Sequence, residues 1–124
     1  MKKKKIKFIA SVAYMAFIFY LSSIPNLKEP YVPFDPYKLS LHFAEYAVLG
    51  SLLYGLFKNS LGEIFVGVIY GISDEIHQRF VPGRFCDPLD ALADSLGVIA
   101  GWFFYLYLIR KFSRNSLIGR WVRF

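Results

Sequence analysis

Cysteine is almost absent from this sequence, and charge is scarce outside its two ends. Cys86 is the only cysteine among 124 residues, which excludes an internal disulfide and leaves no Cys-rich spacing for a structural zinc site. Charged residues make up 19% of the chain and hydrophobic residues 56%, whereas soluble domains contain about 45–50% apolar residues. This composition makes the bilayer the first environment to consider.

The sequence contains long apolar runs with few charged residues. About 20 apolar residues suffice to cross a bilayer as a helix, and four such runs occur, at about residues 6–24, 39–57, 61–80 and 88–112. Many of the thirteen Phe and nine Tyr fall near the ends of these runs, where aromatic rings favour the membrane–water boundary. We therefore predict an all-α polytopic membrane protein with four transmembrane helices, forming a single domain over residues 1–124.

Basic residues indicate the orientation of these spans. The net charge of +6 comes from the two ends of the chain, at Lys2 to Lys7 and at Arg110 to Arg123. Because Lys and Arg are enriched on the cytoplasmic side, we predict that both ends are cytoplasmic, the N-in/C-in orientation, and Lys58 in the second connection agrees with it. The first connection, which holds Lys28 and four of the six prolines, then faces outside and is expected to be extended rather than helical.

The ionisable residues within the spans gather at the predicted outer end. A charged side chain at the centre of a membrane helix costs about 2.5–3.5 kcal/mol on the insertion scale. Such residues should therefore face the bundle interior or a water-filled cavity. At the outer ends of spans two to four the polar residues are Lys38, His42, Glu45, Asp74, Glu75, His77, Gln78, Asp90 and Asp94. With every intramembrane charge on one side, the sequence predicts an outward-facing polar pocket.

Helical spacing puts glycines and polar residues on common stripes, because residues at i, i+4, i+7 and i+11 share one face of a helix. Span three has at this spacing Gly67, Gly71, Asp74 and Gln78. Span four has Asp90, Asp94, Gly97 and Gly101. Small residues allow close helix approach in membranes. We expect spans three and four to pack through these glycines and to diverge into the polar pocket, to which span two adds Lys38, His42, Glu45 and Tyr46.

Several of these residues also have purely structural interpretations. Asp87 followed by Pro88 is typical of a helix start, with Asp as N-cap and Pro at the first helical position, and Asp90 then lies in the first turn, where the helix dipole favours an anion. Pro82 and Gly83 predict a turn. The remaining alternatives are a membrane-interface anchor for Arg79 or Lys38, a packing role for His77, and a Lys38–Glu45 pair.

Four motifs together make the chain resemble the VanZ-like family of small membrane proteins. They are a Lys-x3-His-x3-Tyr pattern (Lys38, His42, Tyr46), an Asp-Glu-x-x-Gln run (Asp74, Glu75, Gln78), a Pro-Gly-Arg turn (Pro82, Gly83, Arg84) and a D-x3-[ND]-x2-G helix (Asp90, Asp94, Gly97). The likeness covers most of the chain. It implies a bacterial multi-pass protein of the cell membrane, some of whose relatives are associated with low-level resistance to teicoplanin, which acts at the cell envelope. The resemblance implies no particular biochemical activity.

The first functional hypothesis is an extracytoplasmic pocket that binds an anionic envelope lipid or a lipid-linked precursor. The phosphate group would be bound by Arg84, Lys38 and Arg79. The ligand-binding candidates are Lys38, Tyr46, Gln78, Arg84 and Asp90.

The alternative hypothesis is a membrane enzyme acting on such a lipid by acid/base or metal-assisted chemistry. His42 or Glu75 would be the general base, Asp74 and Asp94 would orient groups or bind a divalent cation, and Arg84 would stabilise negative charge. The catalytic candidates are therefore His42, Asp74, Glu75, Arg84 and Asp94.

Two further classes are kept open. A transporter would use Asp74, Glu75 and Asp94 as a relay, but a route across the membrane needs polar groups on both sides, and four spans would call for a homodimer. A purely structural or assembly protein would need only a buried polar network. Nucleic acid is not an expected partner, because the basic clusters flank membrane spans and contain no base-reading motif.

Overall fold

The computed structural model describes residues 2–25 and 34–113. Within these ranges the chain forms four α-helices and no strand: α1 (Lys2–Ser22), α2 (Pro36–Leu53), α3 (Ser60–Gln78) and α4 (Pro88–Phe112). The prediction of an all-α fold with four long helices is confirmed. Predictions for Lys28 and for the tail arginines from Arg114 onward lie outside the described residues.

Helices α2 and α4 begin in the same way, with an aspartate cap followed by a proline. The Asp35 side chain accepts hydrogen bonds from the backbone N–H groups of Tyr37 and Lys38, ahead of Pro36. Asp87 caps α4 ahead of Pro88 in the same way. Helix α2 therefore begins at Pro36, three residues before the predicted start at residue 39. Proline is favoured at the first helical position because the backbone N–H that it lacks would have no partner within the helix there.

The α2 helix also ends earlier than predicted. Its last residue is Leu53 rather than residue 57, and Gly55 follows with φ of 80°. This left-handed conformation favours glycine and terminates the helix. Asn59 then caps the start of α3 by accepting from the N–H groups of Leu61 and Gly62.

Neighbouring helices along the chain run antiparallel, so α1 and α3 point one way and α2 and α4 the other. Lys7 near the start of α1 donates to the Tyr54 carbonyl just after α2, at 2.6 Å, and Tyr14 further along α1 donates to the Glu45 carbonyl at 2.7 Å. The Lys7 ammonium also lies 3.6 Å from the centre of the Tyr105 ring in α4. The start of α1 and the end of α4 are therefore at the same end of the bundle.

The closest helix packing joins α2 to α4 rather than α3 to α4, which corrects the prediction for the glycines of α4. A Cβ atom added at Gly97 or Gly101 would collide with the backbone carbonyl of Phe43 or Ala47 in α2. The α3 glycines do face α4, because a Cβ at Gly67 would meet the Val98 side chain. The small residues of α4 thus bring two parallel helices into backbone contact, as in membrane helix pairs.

Polar and apolar residues are distributed on α3 in the reverse of the soluble pattern. Its buried residues are Glu63, Gly67, Gly71, Asp74, Glu75 and Gln78. Its exposed face carries Leu61, Phe65, Ile69, Ile72 and Ile76. A water-soluble helix hides such an apolar stripe and exposes its charges, so this arrangement fits an apolar surrounding.

Among the described residues, two helices, α1 and α4, are long and apolar enough to cross a membrane. The ionisable residues within α2 and α3 lower the hydropathy of those helices, which accounts for the smaller number compared with the four spans predicted. By length and composition, then, α1 and α4 fit a membrane protein.

Candidate functional site

Seven polar side chains converge where α2 and α4 begin and α3 ends. We call this set the polar cluster, and its members are Lys38, His42 and Tyr46 from α2, Asp74 and Glu75 from α3, and Asp90 and Asp94 from α4. The α2 members recur every four residues and so share one face of their helix. All four carboxylate residues are at most 5% exposed. The cluster thus removes four acidic groups from solvent within a small volume.

His42 lies between three of the four acidic residues. Its Nδ1 is 2.8 Å from Oδ1 of Asp94 and 3.8 Å from Oε1 of Glu75. Its Nε2 is 3.7 Å from Oδ2 of Asp90. Both nitrogens of one imidazole therefore face carboxylates, an arrangement that suits either a proton-transfer group or a metal ligand.

The remaining pairings tie the three helices together. The Lys38 ammonium lies 2.7 Å from Oδ2 of Asp90, so the alternative Lys38–Glu45 pair is not the one formed. The Tyr46 hydroxyl donates to Asp74 Oδ2 at 3.4 Å. Lys38 keeps a third of its side chain exposed and is the member of the cluster most open to solvent.

Several carboxylate oxygens in the cluster lack a hydrogen-bond partner among the described residues. They include Oε1 of Glu75, Oδ1 of Asp90 and Oδ2 of Asp94. Glu75 uses its other oxygen to accept the Asp87 backbone N–H at 3.3 Å. A buried acceptor without a donor costs about 1–3 kcal/mol, and more for a charged group. The cluster is therefore not a fully satisfied packing network.

Arg84, predicted to meet a ligand, bonds to the end of α1. Its Nε donates to the Ile24 carbonyl at 2.9 Å and its Nη2 to the Leu21 carbonyl at 3.4 Å. These carbonyls belong to the last turn of α1 and the residues after it, where cations are favoured. Arg84 thus connects the loop before α4 to α1 and uses only part of its five N–H donors.

Two other predicted residues lie at the end of α3. Gln78 is buried there, 5% exposed. His77 faces α1 instead, with its Nε2 2.9 Å from the Ser23 hydroxyl and its ring stacked on Phe19. His77 therefore has the packing role that was one of its two interpretations.

A second set of buried polar residues lies at the opposite end of the bundle, where no buried charge was predicted. Glu63 is 2% exposed and accepts from the Trp102 indole N–H at 2.7 Å and the Phe57 backbone N–H at 3.0 Å. Lys7 is 8% exposed and interacts electrostatically with Glu63. The prediction that all buried charges gather at one end is therefore wrong.

The reason for this error is the position of both residues near helix starts. Lys7 follows a lysine run that is typical of a topology signal, and Glu63 stands in the first turn of α3, where an acidic residue is ordinarily explained by the helix dipole. The apolar side chains of Ile18, Leu49 and Val98 separate this set from the polar cluster. The sequence did contain one indication of a partner for Glu63. Trp102 carries an indole N–H, which usually finds a hydrogen-bond acceptor when it is buried.

Comparison with known proteins identifies a family that the chain matches. The model of a protein family described as VanZ/LLP1 matches residues 6–110. No curated protein and no solved structure matches the chain. The matched range includes all seven residues of the polar cluster.

Proposed function

Since the chain belongs to the VanZ/LLP1 family, we propose that it is a multi-pass protein of the cell membrane whose polar cluster binds the headgroup of an anionic envelope lipid or a lipid-linked precursor. In this proposal the chain is one domain, all four helices cross the membrane, and both ends are cytoplasmic. The polar cluster then opens on the extracytoplasmic side. Membership in the family is consistent with an association with glycopeptide resistance.

The observation that carries this proposal is the set of buried carboxylate oxygens without donors at one end of a bundle with an apolar exterior. A structural network gains stability when every buried polar atom has a partner. Within the described part of the chain, Glu75 and Asp94 each keep one oxygen without a donor although they are only 2% and 0% exposed. Hydroxyl or amine groups of a lipid headgroup would supply the missing donors.

The anionic part of the headgroup would be bound by the basic residues at the edge of the cluster. Lys38 is paired with Asp90 but one-third exposed, so a phosphate can approach its ammonium from the solvent side. Arg84 has donors left after its two bonds to α1, and Arg79 is exposed at the end of α3. Arginine and lysine are the usual phosphate-binding side chains.

An enzyme acting on the same lipids is the second candidate, and the position of His42 favours it. His42 Nδ1 lies close to both Asp94 and Glu75, so that a proton taken up by the imidazole would be stabilised by two carboxylates. In this candidate His42 or Glu75 acts as the general base and Arg84 stabilises negative charge on phosphate.

A lipid titration followed by native mass spectrometry tests the binding proposal. The purified chain in detergent is titrated with phosphatidylglycerol and with a polyprenyl phosphate. We expect Lys38→Ala and Arg84→Ala each to weaken binding about tenfold, the effect of about 1.4 kcal/mol expected for a charge-assisted hydrogen bond. Lys58→Ala, which removes an exposed lysine at the opposite end, is the matched control and should bind as the wild type does.

Equal binding by Arg84→Ala, Lys38→Ala and wild type would refute the binding proposal. The enzyme candidate has a separate readout in the same samples, because turnover changes the mass of the lipid. If the polyprenyl phosphate keeps its mass after incubation with Mg²⁺, Mn²⁺ or Zn²⁺, the enzyme candidate fails for this substrate class while the binding result stands.

A further inference from the structure

We propose that His42, Glu75 and Asp94 form a binding site for one divalent transition-metal ion, Zn²⁺ or Mn²⁺. Each residue offers one ligand atom, and the three atoms lie within 4.8 Å of one another. Ligands about 2.0–2.2 Å from a shared ion are about 3–4.4 Å apart. The separation of 3.8 Å between His42 Nδ1 and Glu75 Oε1 already falls in this range.

The unpartnered oxygens point independently to a ligand in the same space. Oε1 of Glu75 has no hydrogen-bond partner among the described residues, and neither has Oδ2 of Asp94. Both side chains are buried beyond nine-tenths, at 2% and 0% exposure. A metal ion satisfies such oxygens without needing a donor from the protein. It would bind Glu75 Oε1, one Asp94 oxygen and His42 Nδ1.

The surroundings of His42 suit a metal-bound imidazole. When Nδ1 is the ligand, the proton is on Nε2, and Nε2 faces Oδ2 of Asp90 at 3.7 Å. A carboxylate on the far side of a ligating imidazole fixes its tautomer and ring orientation. Lys38 holds Asp90 in place through the 2.7 Å ion pair. Asp90 and Lys38 would thus be positioning residues for the metal ligand.

The charges of the cluster and its ligand types determine the class of metal. Four acidic residues lie here with one lysine, which already pairs with Asp90, so the cluster has more acidic than basic side chains and favours a cation as its ligand. One imidazole with two carboxylates suits Zn²⁺ or Mn²⁺, whereas Ca²⁺ takes six to eight oxygens and Mg²⁺ retains most of its waters. Three protein ligands also leave an open position for water or another ligand.

The metal site goes beyond the lipid proposal and stands without it, since it depends only on these three side chains. The test uses the full chain in detergent, in a Cys86→Ser background because the exposed Cys86 thiol could bind zinc by itself. After removal of metal with EDTA, ZnCl₂ and MnCl₂ are titrated by calorimetry. We expect one metal ion per chain and about tenfold or greater weakening in both His42→Gln and Glu75→Gln.

Glu63→Gln is the matched control, because Glu63 is as buried as Glu75 and belongs to the same helix but lies at the other end. It should bind zinc like the wild type. Zinc-edge X-ray absorption supplies a second readout, in which one imidazole ligand is expected and should vanish in His42→Gln. Absence of zinc and manganese binding in the Cys86→Ser chain would overturn the proposal, whether or not the variants fold. Binding that is unchanged in both His42→Gln and Glu75→Gln would overturn it as well.

Discussion

His42 Nδ1 and Asp94 Oδ1 are 2.8 Å apart, at matching positions of two parallel helices. Each residue stands in the second turn after the proline that begins its helix, Pro36 or Pro88. The same register pairs Lys38 with Asp90 one turn earlier. The polar cluster is therefore built on two Asp-Pro helix starts held level with each other, and α3 adds its carboxylates from the side.

Energetic coupling between His42 and Asp94 is the first prediction. A double-mutant cycle with His42→Ala and Asp94→Ala should give a coupling free energy of about 0.5–3 kcal/mol, as for contacting buried residues. The free energy of unfolding is measured in mixed detergent and SDS micelles. A control cycle pairs Asp94 with Ser40, which is exposed on α2, and should be additive. If the effects of His42→Ala and Asp94→Ala were additive too, the contact between these two side chains would be contradicted.

The sequence was sufficient to predict the four helices and the residues of the cluster. Long apolar runs predict the number of helices, and the cost that Asp74, Glu75 and Asp94 would have in contact with lipid predicts that they face inward. Which residues pair could not be predicted, because helical spacing gives the face of each helix but not the neighbour that the face meets. The side-chain partner considered for Lys38 was therefore Glu45 and not Asp90, and Gly101 was assigned to the wrong helix pair.

Two basic residues have partners that were not predicted. From sequence, Lys7 was interpreted as part of a topology signal and Arg84 as a ligand-binding cation. Their actual partners are backbone carbonyls, of Tyr54 for Lys7 and of Leu21 and Ile24 for Arg84. Backbone acceptors carry no sequence signal, so contacts of this kind cannot be read from residue types.

Close packing of α4 on α2 gives the second prediction. Gly101→Ala should lower the free energy of unfolding by about 1–3 kcal/mol, because its Cβ would collide with the Ala47 carbonyl. Gly62→Ala is the control. Its Cβ would meet the Asn59 side chain at 3.7 Å, an ordinary contact, so the change should be neutral or slightly stabilising. Equal effects of the two substitutions would argue against close α2–α4 packing.

The native cysteine tests the proposed orientation. Cys86 is exposed in the connection between α3 and α4, which is extracytoplasmic in the N-in/C-in proposal. A membrane-impermeant maleimide should therefore label Cys86 in intact cells. A Lys58→Cys chain in the Cys86→Ser background reports on the α2–α3 connection and should be labelled only after permeabilisation. The reverse labelling pattern would indicate the opposite orientation in the membrane. Labelling of both sites in intact cells would contradict the four-span arrangement.

Glu75 and Glu63 provide a matched pair for the central claim that the polar cluster is a ligand site rather than a packing network. Both are 2% exposed on α3. Glu63 has a donor for each oxygen, from Phe57 and Trp102. Glu75 has a donor for one oxygen, and residues 2–25 and 34–113 supply none for Oε1. The same substitution by Gln should therefore affect stability in opposite directions.

The decisive measurement is the free energy of unfolding of the two variants without added metal or lipid. In Glu63→Gln an amide N–H must face a donor, so we expect a loss of about 1–3 kcal/mol. In Glu75→Gln the amide oxygen can still accept from Asp87, and the change removes one acidic group from the three that surround His42, so we expect a gain of about 1 kcal/mol. A loss in Glu75→Gln equal to that in Glu63→Gln would contradict the claim and make the polar cluster a structural network.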